Sequence, residues 1–523
     1  MSLSPYEISH SANSRRLDFS CNFAHTTKWY FYSPFSFLYY PLSVLMSLAR
    51  KIAYNVIVNS TAKVLSTALA LVSIGFITRY LGPEGFGEYT TALAFFALFM
   101  ALADLGLNTV GAREISRKDA DEVRIMGNVF GIRLVASGII AVAAPLVFLF
   151  LPYSSELKLA IAFALAAFFF SSSYTVLNGI FQKNLAMDRV AITELVGKVL
   201  QTGIIIAAAL LDWGFFAIMG AFVFFMIFNF SVLLIWSRRF IPFTIRFDFD
   251  FWKKFLRQSL PLGGAVMITF LYFKFDAILL SLMQGSEAVG IFGAAYKVIE
   301  NITFFPAMIV GLVLPLLSAR MFHDEKGFRR IADSTLKVFF LLVVPLTIGG
   351  VMLAKDIILL IGGTEFLESV IVLQILLFAL AGMFFGHFFN TLLVVGDKQK
   401  LLMYLLAVCA VFNIALNLVL IPAYSHLGAA IASTATEILV VALTWIAVHR
   451  TLGYTVHAKR ISRILLSGAA MALVIFFLAP YTNFFVTLAV AGAVYAISIF
   501  LTQAVQRHEW QEFLTKKSQQ TIP

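Results

Sequence analysis

The sequence predicts an all-α polytopic membrane protein of about fourteen transmembrane helices, built as two six-helix lobes plus a C-terminal helix pair. Three observations carry that expectation: apolar runs long enough to cross a bilayer, a one-sided distribution of Lys and Arg, and an internal repeat at a fixed shift. Composition agrees, because 60% of the 523 residues are apolar and 13% are charged, whereas a soluble domain carries about 25% charged residues. The 54 Phe residues exclude a disordered chain, and two cysteines exclude a disulfide-stapled secreted one. Cys21 and Cys409 read as isolated apolar fillers.

A spanning helix needs about 20 apolar residues. Runs of that kind, bounded by charges or Gly/Pro turns, lie at 53–78, 89–112, 126–151, 157–181, 190–211, 213–236, 258–284, 290–319, 335–361, 366–395, 401–422, 427–448, 461–480 and 483–505. Alternating the connections between two sides puts 28 of the 39 Lys and Arg on one side, from Arg50 to Lys517, and only Arg79, Lys158 and Lys355 on the other. Five more lie inside spans and three precede residue 46. That asymmetry predicts both termini in the cytoplasm and an even number of spans in a cell membrane. The net charge of +11 is then topological, and nucleic acid is not a partner.

Residues 1–45 fit this plan poorly. The stretch Trp29-Tyr-Phe-Tyr-Ser-Pro-Phe-Ser-Phe-Leu-Tyr-Tyr-Pro-Leu makes neither a spanning helix nor a signal peptide, and Met46-Ser-Leu-Ala-Arg-Lys reads as the more natural start. The expected organisation is an N-terminal extension at 1–45, an N-lobe at 46–255 with spans one to six, a C-lobe at 256–457 with spans seven to twelve, and spans thirteen and fourteen with a cytoplasmic tail at 458–523.

The repeat appears at a shift of 203 residues, where Gly82 falls on Gly285, Glu84 on Glu287, Gly87 on Gly290, Tyr89 on Phe292 and Ala92 on Ala295. Pro145 matches Pro345 at a nearly equal shift. Six spans is an even number, so the repeats share one orientation and are related by an axis along the membrane normal.

Several segments resemble the polysaccharide branch of the multidrug/oligosaccharidyl-lipid/polysaccharide exporter superfamily, the O-antigen and repeat-unit flippases. They are Arg79-Tyr-Leu-Gly-Pro-Glu-Gly-Phe-Gly-Glu-Tyr, Ala103-Asp-Leu-Gly-Leu, Phe275-Asp-Ala-Ile-Leu-Leu, Gly290-Ile-Phe-Gly-Ala-Ala-Tyr-Lys, Asn390-Thr-Leu-Leu-Val-Val-Gly-Asp-Lys-Gln-Lys, and 413–422 with Gly428-Ala-Ala-Ile-Ala. The likeness covers about residues 46–505. It implies a V-shaped pair of lobes like that of the multidrug exporters, alternating access, and movement of a polyprenyl or dolichyl (pyro)phosphate-linked oligosaccharide to the outer leaflet. Glycosyltransferases or a polymerase of the same pathway are the implied protein partners.

Ionisable residues inside spans are costly and mark functional candidates. Five cations (Lys63, Arg133, Lys198, Lys274, Lys297) and five anions (Asp104, Glu194, Asp276, Glu300, Glu437) lie there. Glu194 and Lys198, at i and i+4, predict a direct pair. Asp104 and Arg133 each lie roughly 10 to 14 Å from the basic ends of their helices and predict a second. On spans seven and eight, Asp276 matches Lys297 in depth and Lys274 matches Glu300. Residues i and i+2 point about 200° apart, so Lys274 and Asp276 face different neighbours.

A cation in a low-dielectric cavity suits a phosphate head. Lys63, Lys274, Lys297 and Arg133 are therefore the head-group candidates. Asp276, Glu437 and Glu300 are candidates for a coupling Na⁺ or H⁺, and His387, Asn390, Asn413 and Asn417 for sugar hydroxyls, with interhelical hydrogen bonding as the alternative role of that polar set.

No G-x-x-x-x-G-K-[ST] phosphate loop occurs, and no Cys/His set has metal-ligand spacing, so neither an ATPase nor a bound metal or other cofactor is expected. Asp248-Phe-Asp250 raises a membrane glycosyltransferase as a rival, yet its alternation with Phe247, Phe249 and Phe251 reads as an interfacial linker. A cation-coupled multidrug exporter is the second rival, and the balance of intramembrane charges favours an anionic substrate.

Overall fold

The computed structural model describes residues 48–456 and 461–504, so the extension at 1–45 and the tail beyond 504 lie outside the described residues. Sixteen α-helices and a short 3₁₀ turn make up the regular structure there, without strands. The described residues from 52 onward form one compact unit.

The first repeat comprises α1 (Leu48–Asp104), α2 (Leu107–Ile115), α3 (Glu122–Leu149), α4 (Ser155–Ala166), α5 (Phe168–Lys183), α6 (Met187–Leu210) and α7 (Phe215–Ser237). The second comprises α8 (Phe249–Gln284), α9 (Ser286–Ile302), α10 (Phe304–Arg320), α11 (Glu325–Met352), α12 (Ala354–Ile361), α13 (Ser369–Val395) and α14 (Gln399–Leu452), and α15 (Ile461–Leu478) and α16 (Phe484–Leu501) follow.

Eleven of these stretches are long and apolar enough to cross a membrane, or twelve when the bent α8 counts as one span. The difference from the fourteen expected runs has a local cause. α1 has 57 residues and α14 has 54, and each is interrupted by one residue outside helical geometry, Gly82 (φ 65°, ψ −178°) and Ser425 (φ 50°, ψ −129°). A continuous helix of 57 residues would extend about 85 Å, far beyond a bilayer's hydrocarbon thickness of about 30 Å.

Gly82 and Gly285, matched by the repeat, adopt the same rare backbone conformation, since Gly285 has φ 84° and ψ −176°. An L side chain is disfavoured at both, and the glycines turn each chain from one membrane helix into the next. Pro145 and Pro345 also occupy corresponding places, inside α3 and α11.

The boundary expected at 255/256 falls inside α8. Asp248 caps that helix, its side chain accepting from Phe251 N at 3.0 Å and from Arg124 Nη2 at 2.6 Å. The preceding segment lies on α3: Arg246 N donates to Gly127 O at 2.9 Å, and Asn128 Oδ1 accepts from Asp248 N and Trp252 Nε1. The Asp248-x-Asp250 motif is thus a helix start, with its first carboxylate consumed by capping.

The halves touch at the Lys/Arg-rich end through Gly106 and Gly263. A Cβ on Gly106 would lie 2.4 Å from Ser259 O, and one on Gly263 would lie 2.6 Å from Leu105 Cα. At the charge-poor end, Thr78 Oγ1 donates to Ile361 O at 2.7 Å and Arg79 Nη2 to Leu360 O at 2.9 Å. One apolar core runs through both repeats, and α15 and α16 pack on α11, where Tyr495 donates to Leu341 O at 3.0 Å.

Candidate functional site

Three cavities meet around one carboxylate between the repeats. The first, of about 610 Å³, is lined by α1, α6, α7, α9 and α10 and presents Lys63, Lys198 and Lys297 with Glu194 and Glu300. The second, of about 680 Å³, presents Asp104, Asn108, Lys274, Glu300 and His387. A third, of about 190 Å³, includes Lys274, Asp276, Lys297 and Glu300. Glu300 lines all three.

Helix periodicity builds the wall of the first cavity. Lys63, Ser66, Thr67, Ala70 and Ser73 recur at three- and four-residue spacing and place one small, polar stripe of α1 on the cavity. That stripe is a signal that a search limited to ionisable residues passes over. Ser73 and Thr202 join α1 to α6 by a hydrogen bond of 2.8 Å.

Lys274 and Lys297 both hold Glu300. Lys274 Nζ donates to Oε1, and Lys297 Nζ to Oε2 at 2.9 Å. A bend of 53° in α8 immediately precedes the segment that begins with Lys274. The opposition of Lys274 and Asp276 across their helix is observed: Lys274 meets α9, while Asp276 turns to α14. There Asp276 accepts from Asn417 Nδ2 at 2.8 Å and from Ser433 Oγ. No Asp276–Lys297 ion pair occurs among the described residues, because the two carboxylate oxygens of Asp276 are taken by α14.

One expected pair is corrected, and four of the site candidates are engaged in bonds of their own. Arg133 is 1% exposed and binds Asp104 at 2.7 Å, Ala103 O at 2.9 Å and Asn108 Oδ1 at 3.0 Å. Its guanidinium ties α3 to α1 and α2 through the expected pair with Asp104 and lines none of the described cavities. Glu194 and Lys198 do not pair: Tyr174 donates to Glu194, and Lys198 donates to Gln201 at 2.9 Å. Lys198 therefore joins the cavity cations, a residue that the expected i, i+4 pair had hidden. Asn413 and Asn417 are fully buried, and Asn417 serves Asp276 rather than any described cavity. Glu300, with an ammonium on each oxygen, is unsuited to receive a coupling cation.

The other candidates keep access to space. Lys63 Nζ lies 5.2 Å from the centre of the Phe304 ring, with no carboxylate in salt-bridge range among the described residues. His387, Asn390 and Glu437 line a smaller cavity of about 150 Å³ in the second repeat, where Gly382 admits Glu437 at close range. Asn390 Oδ1 and Asn417 Oδ1 have no hydrogen-bond partner among the described residues. Cys409 is buried with a free thiol. No group of three or more His, Cys, Asp or Glu could hold a metal ion among the described residues.

The profile of a family described as polysaccharide biosynthesis protein matches residues 52–321, just over half of the chain. The chain belongs to the polysaccharide biosynthesis protein family. A second profile, MatE, matches 261–419, starting near the beginning of the second repeat, and places this family member within the multidrug/oligosaccharidyl-lipid/polysaccharide exporter superfamily. A putative O-antigen transporter of Shigella flexneri is 26% identical over 413 residues, covering 74% of this chain and 94% of that protein. Among solved structures, the lipid II flippase MurJ in an inward closed conformation superposes with a TM-score of 0.70 at 15% identity, over 88% of this chain and 99% of that one. An inward-facing multidrug transporter of the MATE family gives 0.60 at 16% identity, over 76% and 99%. At such identities the two structures establish a shared fold, which this member of the polysaccharide biosynthesis family carries with its own set of cavity charges.

Proposed function

We propose that this protein is a flippase for a lipid-linked oligosaccharide, a non-enzymatic transporter that carries a polyprenyl or dolichyl (pyro)phosphate-linked glycan from the cytoplasmic to the outer leaflet. The observation that carries the reading is the cation-rich cavity between the repeats: Lys63, Lys198 and Lys297 face it against Glu194 and Glu300. An anionic phosphate head finds charge-assisted donors there, in a wall that holds water-accessible polar groups within an apolar surround. The neighbouring cavity, with Asn108, Thr109, Thr269 and His387, offers neutral donors and acceptors suited to sugar hydroxyls. The lipid tail stays in the bilayer while the lobes alternate.

The same reading places the chain in a cell membrane with fourteen crossings and both termini in the cytoplasm, supported by the 28 to 3 split of Lys and Arg. It makes glycosyltransferases or a polymerase of the same pathway the natural partners. Coupling to Na⁺ or H⁺ would act through Asp276 or Glu437, both buried carboxylates in the second repeat. Asp276 is the better placed for a cation, since the orphaned Asn417 Oδ1 stands on the residue that binds it.

Translocation of a fluorescent polyprenyl-diphosphate oligosaccharide in proteoliposomes tests the proposal. Lipid movement should depend on Lys63, Lys274 and Lys297, with Lys274→Ala and Lys297→Ala lowering transport at unchanged membrane abundance. Efflux of a cationic dye without lipid movement would move the protein to the multidrug exporters.

A further inference from the structure

Glu300 is a carboxylate shared by three cavities and held by two lysines. Its two carboxylate oxygens accept separately from Lys274 of α8 and Lys297 of α9. The three side chains are 34%, 30% and 21% exposed, so the cluster is open to the cavities rather than sealed in the core. All three cavities converge on this carboxylate. Two cations on one anion leave a surplus positive charge, and around the first cavity Lys63 and Lys198 add two more cations against one further carboxylate, Glu194.

We infer that Glu300 is an internal counter-anion that occupies the lysine pair in the empty transporter and is displaced by the diphosphate of the substrate. This rests on the flippase reading and deepens it by assigning a positioning residue whose effect is on affinity and release rather than on the path.

The physical argument is one of competition. Without an anion, Lys274 and Lys297 would repel each other and bear the cost of charge in a low-dielectric surround. Glu300 removes that cost and holds α8 against α9. A diphosphate presents several oxygens to the same ammonium groups and adds bonds to Lys63 and Lys198, which the carboxylate does not reach in the structure. Binding therefore exchanges one charge-assisted set for a larger one. The net gain is smaller than the gross attraction, and the substrate can leave again. Thr303 Oγ1 donates to the Glu300 main-chain O at 2.7 Å at the junction where α9 gives way to α10, so the backbone that carries the counter-anion lies three residues before a helix interruption.

The test uses the full chain. Binding of inorganic pyrophosphate to purified protein in nanodiscs is measured by calorimetry, and translocation of the fluorescent polyprenyl-diphosphate oligosaccharide in proteoliposomes gives kcat and KM. Glu300→Gln should bind pyrophosphate about tenfold more tightly, equivalent to about 1.4 kcal/mol, and lower KM and kcat together because release slows. Glu300→Asp, which keeps the charge on a shorter arm, should fall between and guards against a folding defect in the first variant. Unchanged or weaker pyrophosphate binding in Glu300→Gln, with Lys297→Ala still weakening it, overturns the counter-anion and leaves the cation cavity standing. Absence of pyrophosphate binding and of lipid translocation in the unmodified protein overturns the flippase reading and the inference with it.

Discussion

Gly87 and Gly290, equivalent positions of the two repeats, cross backbone against backbone. A Cβ on Gly87 would lie 1.7 Å from Ser286 O, and one on Gly290 would lie 1.9 Å from Pro83 O. The contact is reciprocal, as a crossing on an axis that relates the repeats requires. Phe86 and Phe366 meet edge to face at 6.0 Å beside it. Only glycine permits this approach, and it closes the charge-poor end of the interface between the halves.

Gly87→Ala should therefore wedge that end apart. The expected outcome is reduced lipid translocation together with increased labelling of Thr78→Cys, a position with 0% exposure, by a membrane-impermeant maleimide. Unaltered labelling would show that the helices yield elsewhere.

Arg133 and Asp104 form a pair whose loss leaves one buried charge without its partner. Arg133→Met alone should destabilise the protein by about 3 to 5 kcal/mol, as for broken buried pairs generally. Thermal unfolding in detergent checks this, and the double variant Arg133→Met with Asp104→Leu should recover most of the loss.

Lys63 contributes charge to the cavity and stacks on Phe304 without a carboxylate partner among the described residues. Lys63→Ala should raise the KM for the lipid substrate several-fold while leaving thermal stability near its starting value. A large drop in melting temperature would instead make Lys63 a packing residue.

Asp276 tests the proposed coupling. In proteoliposomes carrying a Na⁺ or H⁺ gradient, Asp276→Asn should abolish the gradient's stimulation of translocation and keep the ungraded rate, since Asn preserves the size of the side chain facing Asn417 and Ser433. Persistence of the stimulation would transfer the coupling to Glu437.

Asp248 gives a pH-dependent local prediction. The Phe251 N–H, and after it Arg124, hold its carboxyl below the ordinary carboxylate value. A depressed folded value means that the cap stabilises above the unfolded carboxyl value of about 4 and is lost as pH falls through the folded one. Amide hydrogen exchange of residues 249–252 should rise as pH falls below the ordinary carboxylate value of about 4, and Asp248→Ala should show the raised exchange already at neutral pH.

The sequence by itself determined the helical membrane class, the uneven spacing of the basic residues along the chain and the duplication, because each depends on composition or on a shift along the chain. It also determined that Lys274 and Asp276 face different neighbours, since helical geometry alone separates i from i+2. What it could not reach was the choice of partner. The i, i+4 spacing of Glu194 and Lys198 favours a pair only when nothing better is near, and α5 brings Tyr174 to Glu194. Asn413 and Asn417 carry a polar stripe whose target, Asp276, lies 141 residues away from Asn417. Arg133 turned inward, and Lys198 turned to the cavity. Rotation of each helix about its axis is settled by packing against its neighbours. The match of Lys274 with Glu300 in depth was legible in the sequence, and tertiary structure decided that Lys297 would share the same carboxylate at the junction of three cavities.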